Sequence, residues 1–188
     1  MKKRLEDYVM KFQGFLDKKF CDETIKEFKK SKWEDHYFND SRTNENIKRS
    51  GNQELEVSFQ QIPNKKIIMD KLFTAIGEYQ KNLNFDWWDT WNGYSEVRFN
   101  RYTKTKKMAL HCDHIHTIFD GERKGVPILS CLGGLNDNYT GGELVLFGDT
   151  IVELKQGELI IFPSSFLYPH KVKPVKKGTR YSYISWVW

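Results

Sequence analysis

Three cysteines in 188 residues, Cys21, Cys112 and Cys131, are too few and too irregularly spaced for a disulfide framework or a four-ligand zinc motif. Long apolar runs are also missing, so no segment reads as a membrane-spanning helix. The opening MKKRLEDYVMKFQGFL is basic, but Glu6 and Asp7 interrupt it and no secretory core follows. A cytoplasmic, reducing setting is therefore expected. A strong excess of one charge is absent as well: the net charge is +5 and the pI about 8.9, short of the range that makes nucleic acid the default partner. The lysine runs at Lys104, Lys106, Lys107 and at Lys171, Lys173, Lys176, Lys177 read as solvated faces, or as steering for an acidic ligand. There is no internal repeat and no low-complexity segment. What is plentiful is aromatic residues, 15% of the chain, enough to build a core or cleft from rings. The length suits one domain, which can bury a core without staples.

The pattern of apolar residues divides the chain near residue 90. In the first part, alternating Tyr8, Met10 and Phe12 suggest a short strand. Asp17 is placed to cap a helix with Phe20, Cys21, Thr24, Ile25 and Phe28 inside and Lys18, Lys26, Lys29 and Lys30 outside. A second helix is expected after Pro63, with Ile67, Ile68, Leu72, Ala75, Ile76 and Tyr79 as its apolar stripe. The polar stretch 39–53 reads as a mobile loop. From residue 93 the texture becomes YSEVRFNRY, VPILSCL, ELVLF, TIVEL, ELIIF, HKVKPV and YSYISWVW, parted by glycine turns. Short strands at this spacing indicate a sandwich or barrel of about eight strands. The expected fold is α+β: one domain, 1–188, in which a mainly helical layer (1–90) supports a C-terminal jelly roll (91–188). The WWDTW run at 87–91 lies at the junction. Trp87, Trp88, Trp91 and Arg98 are candidates for the wall of the barrel mouth.

The chemically loaded stretch is Leu110-His111-Cys112-Asp113-His114-Ile115-His116. On a strand, residues i and i+2 share a face, so His111 and Asp113 point together and Cys112 away. An imidazole and a carboxylate so placed, joined by a second imidazole, form the two-histidine, one-carboxylate triad of non-haem Fe(II) oxygenases. Three protein ligands leave positions open for a chelating cosubstrate and O₂, whereas four would make a structural site. His170, on a returning strand, suits the third place better than His36, which lies in the helical portion. His114 and His116 fall on the other face and read as surface residues. His-x-Asp alone is common. The hairpin TGGELVLF, the strand GELIIFP, the late His170 and Arg180 make the pattern restrictive. Arg180 opens the strand RYSYISWVW and is expected deep in the barrel, where an always-charged guanidinium needs an anion such as the far carboxylate of a dicarboxylate bound at the metal. Tyr102 is expected in the same region as a second donor.

These features resemble the prolyl 4-hydroxylase-like branch of the Fe(II)/2-oxoglutarate dioxygenases, in particular its stand-alone short forms from bacteria and bacteriophages. The matching residues are Arg101-Tyr102, His111-x-Asp113, Leu135-Asn136, Thr140-Gly141-Gly142-Glu143-Leu144, Gly157-x5-Pro163, His170 and Arg180. The resemblance covers residues 93–188 and implies a double-stranded β-helix. It implies Fe(II) on His111, Asp113 and His170, and 2-oxoglutarate held by Arg180 and Tyr102, with ascorbate as an auxiliary reductant. It also implies hydroxylation of a peptidyl proline or another residue in a flexible protein segment, with 2-oxoglutarate and O₂ converted to succinate and CO₂. Two departures stand out. Arg180 occupies a position that is lysine in collagen-type relatives, and Gly133-Gly134 stand where some relatives have an aromatic residue before the Leu-Asn pair.

Two other readings fit parts of the pattern. A nucleic-acid oxidative demethylase uses the same barrel, but its family carries a second arginine where this chain has Trp186. A cupin-like metal- or sugar-binding module could use His114-x-His116, Asp120 and Gly157-x5-Pro163. It has no use for Arg180, and Pro163 lies too far from His170 for its second motif.

Overall fold

The computed structural model of the chain describes residues 3–28, 31–40, 42–43, 45–113 and 127–188. The expectations placed on Lys29, Lys30, His114, His116 and Asp120 lie outside the described residues. Strand β1, Met10–Phe12, is followed by helix α1, Lys18–Glu27. The helix begins where the Asp17 carboxylate accepts the Phe20 N–H at 2.8 Å, satisfying one of the free donors of the first turn. Next come β2, Glu34–Asp35; β3, Phe38–Asp40; β4, Glu45–Ile47; and β5, Glu56–Ser58. Helix α2, Pro63–Leu83, starts with proline in its first turn, where the missing N–H costs nothing, and ends at Asn84 in the left-handed conformation. Its buried stripe is Lys65, Ile68, Leu72, Ala75, Ile76, Tyr79 and Leu83, whereas Ile67 is exposed. Lys65 is tolerated there because its ammonium donates to Glu96 at 2.8 Å and to the Phe59 carbonyl.

The second half is almost all strand. Its elements are β6, Arg98–Tyr102; β7, Met108–His111; β8, Leu129–Gly134; β9, Thr140–Gly141; and β10, Leu144–Leu146. They continue with β11, Thr150–Val152; β12, Leu159–Pro163; β13, His170–Val172; β14, Val175–Lys177; and β15, Arg180–Val187. The run HKVKPV splits into β13 and β14 around Pro174, which cannot donate to a ladder. Pairing is antiparallel throughout the named strands. A seven-stranded sheet has the order β1-β12-β8-β15-β6-β5-β2, and a four-stranded sheet the order β11-β10-β13-β7. The first ninety residues therefore hold both helices and also three strands of the larger sheet.

Alternation along the strands separates two cores. Leu129, Cys131, Phe99, Tyr183 and Ile161 face α1 and α2. Leu132, Ile160, Phe162, Tyr102 and Ile184 face the smaller sheet. The site lies in this inter-sheet layer. All three cysteines are free. Among the described residues no helix is long and apolar enough to cross a membrane.

Two expectations are corrected. Segment 39–53 is not simply a loop: β3 and β4 form a hairpin through it, and residues 51–53 make a 3-10 turn. Phe38 pairs opposite Ile47 and packs into the inter-sheet core, so an apolar residue just outside the polar stretch fastens it. The WWDTW run does not wall the barrel mouth. Trp88 and Trp91 pack on the helix-side core, and Trp87 is 81% exposed. These rings follow α2, and the shortest route for burying them is against its face. Arg98, by contrast, does point inward, with its guanidinium 5.0 Å from the Trp186 ring.

Gly133 accounts for the departure noted at Gly133-Gly134. A Cβ there would meet the Tyr183 ring at 2.0 Å, so an aromatic from β15 fills the space above β8. The Tyr183 hydroxyl is buried with no hydrogen-bond partner among the described residues, and burial pushes its pKa far above the ordinary value. In equilibrium denaturation, Gly133→Ala should cost roughly 1–3 kcal/mol through overpacking. Tyr183→Phe should be neutral or stabilise by about 1 kcal/mol, because it removes an unsatisfied buried polar group. A larger loss for the phenylalanine variant than for the alanine variant would contradict this account of the core.

Candidate active site

Cross-strand pairing assembles the site. His111 on β7 and His170 on β13 are directly opposite residues of one antiparallel ladder, and their ring centroids are 4.3 Å apart. Asp113 follows just past the end of β7, and its Oδ1 lies 3.4 Å from His111 Nε2 and 3.7 Å from His170 Nε2. One ligand atom from each residue falls within 4.8 Å of the others, a grouping found nowhere else among the described residues. The side chains are 8%, 7% and 6% exposed for His111, Asp113 and His170.

Their surroundings fix the chemical state of each donor. His111 Nδ1 lies 2.8 Å from the Ala109 carbonyl, and His170 Nδ1 lies 3.1 Å from the Tyr168 carbonyl. A carbonyl only accepts, so both Nδ1 atoms carry the proton and both Nε2 lone pairs face Asp113. This is the tautomer a metal requires, set by the backbone. The Ser130 hydroxyl donates to Asp113 Oδ2 at 2.6 Å, and Ser130 and Ser164 share a further 2.6 Å contact. One carboxylate oxygen is thus held and the other left free. Burial by itself would raise the Asp113 pKa. The charge that His170 and His111 carry when protonated, together with the Ser130 hydrogen bond, outweighs it and holds the carboxyl well below its usual range. Burial pushes His170 down, against the opposing pull of Asp113. The resulting set, two imidazole nitrogens and a carboxylate oxygen on one side of a space, fits a divalent transition ion with open positions. His36 is not part of it. It is buried beside Glu54, at 3.6 Å, with the Phe38 ring between it and His111.

The second expected pair is also a cross-strand pair. Arg180 on β15 lies opposite Tyr102 on β6, and its guanidinium is 4.9 Å from the Tyr102 ring centroid. Both are buried, at 2% and 3% exposure. Arg180 donates to the Ser182 hydroxyl at 3.0 Å, and no carboxylate pairs with it among the described residues. Burial raises the Tyr102 phenol pKa against the lowering influence of Arg180 and Arg98, so it remains a donor. Arg180 also lines a cavity of about 360 Å³ together with Gly142, Leu144, Val152 and Leu154. None of His111, Asp113 and His170 lines that cavity.

Other contributors gave no sign of their role in the sequence, although Asn136 and Gly142 stand in the matching Leu-Asn and Thr-Gly-Gly motifs. Asn136 accepts the Tyr181 N–H at 2.7 Å and donates to the Thr179 carbonyl at 2.8 Å, gripping the backbone on either side of Arg180. Gly142 has φ +67°, and a Cβ there would lie 3.2 Å from Arg180 Cδ. Ser130 carried no motif signal; only its place on the inner face of β8 reveals it. Trp186 Nε1 is buried on that same wall without a hydrogen-bond partner among the described residues.

A two-histidine, one-carboxylate cluster inside an antiparallel double sheet, with a buried arginine deeper in the same layer, defines the non-haem oxygenase class. Residues 97–188, just under half of the chain, match the family model of the 2OG-Fe(II) oxygenase superfamily. Fe(II) and 2-oxoglutarate are the cofactor and cosubstrate that this match implies. It is 38% identical over 100 residues to a PKHD-type hydroxylase of Stenotrophomonas maltophilia, a stretch covering 50% of this chain and 43% of that protein. A PKHD-type hydroxylase of Idiomarina loihiensis is 34% identical over 96 residues, covering 50% and 42%. The chain thus spans less than half the length of these relatives. Among solved structures, the viral collagen prolyl hydroxylase of Paramecium Bursaria Chlorella virus-1 shares the fold with a TM-score of 0.65 at 20% identity, covering 96% of this chain and 94% of that one. A Trichoplax adhaerens prolyl hydroxylase in complex with a hypoxia inducible factor peptide fragment gives 0.68 at 18%, covering 96% and 83%.

Metal titrations should separate donors from their supports. His111→Ala and His170→Ala should abolish binding of one Fe(II) or Co(II) equivalent. Ser130→Ala should weaken it by about 10–100-fold while leaving the stoichiometry intact, the usual size for a group that orients a ligand. Tight binding by either histidine variant would show that the cluster is not the metal site.

Proposed function

We propose that the protein is an Fe(II)/2-oxoglutarate-dependent dioxygenase. In this reading it hydroxylates an unactivated C–H bond of a polypeptide, a prolyl residue being the first choice. The observation that carries the reading is the paired geometry: three ligand atoms within 4.8 Å with both Nε2 atoms free, and a buried arginine without a carboxylate partner among the described residues. His111 Nε2, Asp113 Oδ1 and His170 Nε2 hold the iron. Arg180 and Tyr102 bind the far carboxylate of 2-oxoglutarate by charge-assisted hydrogen bonds. When bound, iron and cosubstrate supply the oxidation: one atom of O₂ ends in succinate, the other in the hydroxylated product, and CO₂ leaves.

The chain's own residues position and shield. Asn136 and Gly142 fix where the Arg180 guanidinium points. Ser130 stops Asp113 rotating. Leu132, Leu144, Ile160 and Ile184 keep water from the interior. Trp186 Nε1, without a hydrogen-bond partner among the described residues, and Arg98, whose Nε donates to Asn100, stand on the wall near Asp113, where a substrate carbonyl would be met. No side chain is needed as a general acid or base. A peptide substrate is supported by the prolyl hydroxylase names of the structural neighbours, one of them solved with a peptide. Residues 1–188 act as one catalytic unit in this reading, with 91–188 as its core. The three free thiols suit a cytoplasmic, reducing setting.

With Fe(II), ascorbate and 2-oxoglutarate, purified protein should form succinate slowly, and faster with a peptide that gains the mass of one oxygen. Arg180→Ala should raise the KM for 2-oxoglutarate by about 10–100-fold, the loss of a hydrogen bond to charge worth roughly 1.5–3 kcal/mol. Asn136→Ala should raise it less, with metal binding unchanged. Succinate formation no greater than that of His170→Ala would refute the assignment.

A further inference from the structure

Beyond the metal centre, a groove of about 800 Å³ opens on the helix side of the seven-stranded sheet. Tyr8, Tyr79, Phe85, Trp87 and Trp88 supply its aromatic walls. The rings are held in place. The Tyr79 hydroxyl donates to the Tyr8 carbonyl at 2.8 Å, and Phe85 stacks on Trp87 at 4.8 Å with 13° between planes. Trp87 nonetheless keeps most of its surface in solvent. Such an assembly of ordered, wet aromatic faces is unusual for a surface with nothing to bind.

Charge and position narrow the occupant. The charged residues lining the groove are Lys3 and Arg4, and no carboxylate lines it among the described residues. Lys3 Nζ lies 4.8 Å from the Phe85 ring centroid, so positive charge sits directly over the aromatic wall. Ile128, Leu129, Pro163 and Tyr168 complete the lining, with the Tyr168 hydroxyl donating to the Leu5 carbonyl at 3.0 Å. These residues adjoin the metal centre through the backbone: the Tyr168 carbonyl fixes His170, while Ser130 and Ser164, next to Leu129 and Pro163, hold Asp113. A strand-like ligand in the groove would therefore run toward the site.

From this placement the geometry points to a docking groove for an extended, proline-rich and acidic polypeptide segment, belonging to the same chain that delivers the hydroxylated residue. The inference rests on the polypeptide-substrate reading above. Proline-rich chains suit aromatic grooves because their rings are flat and apolar and their extended helix is already ordered, so little entropy is lost on binding. Acidic side chains along the segment would meet Lys3 and Arg4.

The test uses the full chain without iron and a labelled peptide of Pro-Pro-Glu repeats, followed by fluorescence anisotropy and by quenching of tryptophan emission. Binding should weaken about tenfold or more in Trp87→Ala, the size expected when an interface tryptophan is truncated. It should weaken several-fold in Lys3→Glu, and a Pro-Pro-Lys peptide should bind less well than Pro-Pro-Glu. In turnover, Trp87→Ala should raise KM for a substrate carrying the Pro-Pro-Glu segment, with kcat and substrate-free succinate formation unchanged. Equal binding by wild type and Trp87→Ala would overturn the proposal, as would equal binding of the lysine peptide. So would a wild-type dimer that Trp87→Ala converts to monomer, which would make a second copy the occupant. Failure of the dioxygenase reading shows separately, as absent succinate from the wild type.

Discussion

Everything chemical in this molecule depends on antiparallel register. His170 faces His111 across one ladder, and Arg180 faces Tyr102 across another. A slip of one residue on either strand would turn its functional side chain to the opposite face of its sheet, because side chains alternate with a period of two. Register is in turn set by which residues can be buried. On β15, Arg180, Ser182, Ile184 and Trp186 face the inter-sheet layer, while Tyr183 and Val187 face the helices. Neither set can be exchanged for the other, since a bulky ring already fills the space above Gly133.

Within that frame, the polar groups of the site are supported by backbone wherever possible. Carbonyls of the residues two before each histidine choose its tautomer. An asparagine amide clasps the peptide groups flanking Arg180. These contacts cost no side-chain flexibility at their backbone ends and hold the interior in one arrangement before any ligand arrives. Ordering of this kind is what a reaction that must exclude water requires.

The sequence disclosed the helices and the site unequally. Asp17 and Pro63 mark helix starts by local chemistry, and both helices begin where those signals stand. His111, Asp113, His170, Arg180 and Tyr102 were legible because motif spacing and strand alternation together constrain them, and the structure brings them into two clusters. Lys65 was not legible as a core residue, since its burial depends on a distant glutamate and a carbonyl. The hairpin through 39–53 was hidden because its apolar fastening, Phe38, sits outside the polar window. The tryptophans of 87–91 were misplaced for a related reason: an aromatic run says that rings will be covered, and only the packing of α2 decides by what. Ser130 and Asn136 are common polar residues whose importance lies entirely in which backbone or carboxylate they reach.

The larger sheet is completed from both ends of the chain. Strands β1, β2 and β5 come from residues 10–58, and they cover the flanks of β12 and β6. A fragment starting at residue 97, where the family likeness begins, would leave those two strands with unpaired N–H and C=O groups along their edges. Such a piece would be sticky toward its own kind. The portion most like its relatives in sequence is thus one whose sheet edges lie bare by themselves, and the first half supplies the strands that cover them.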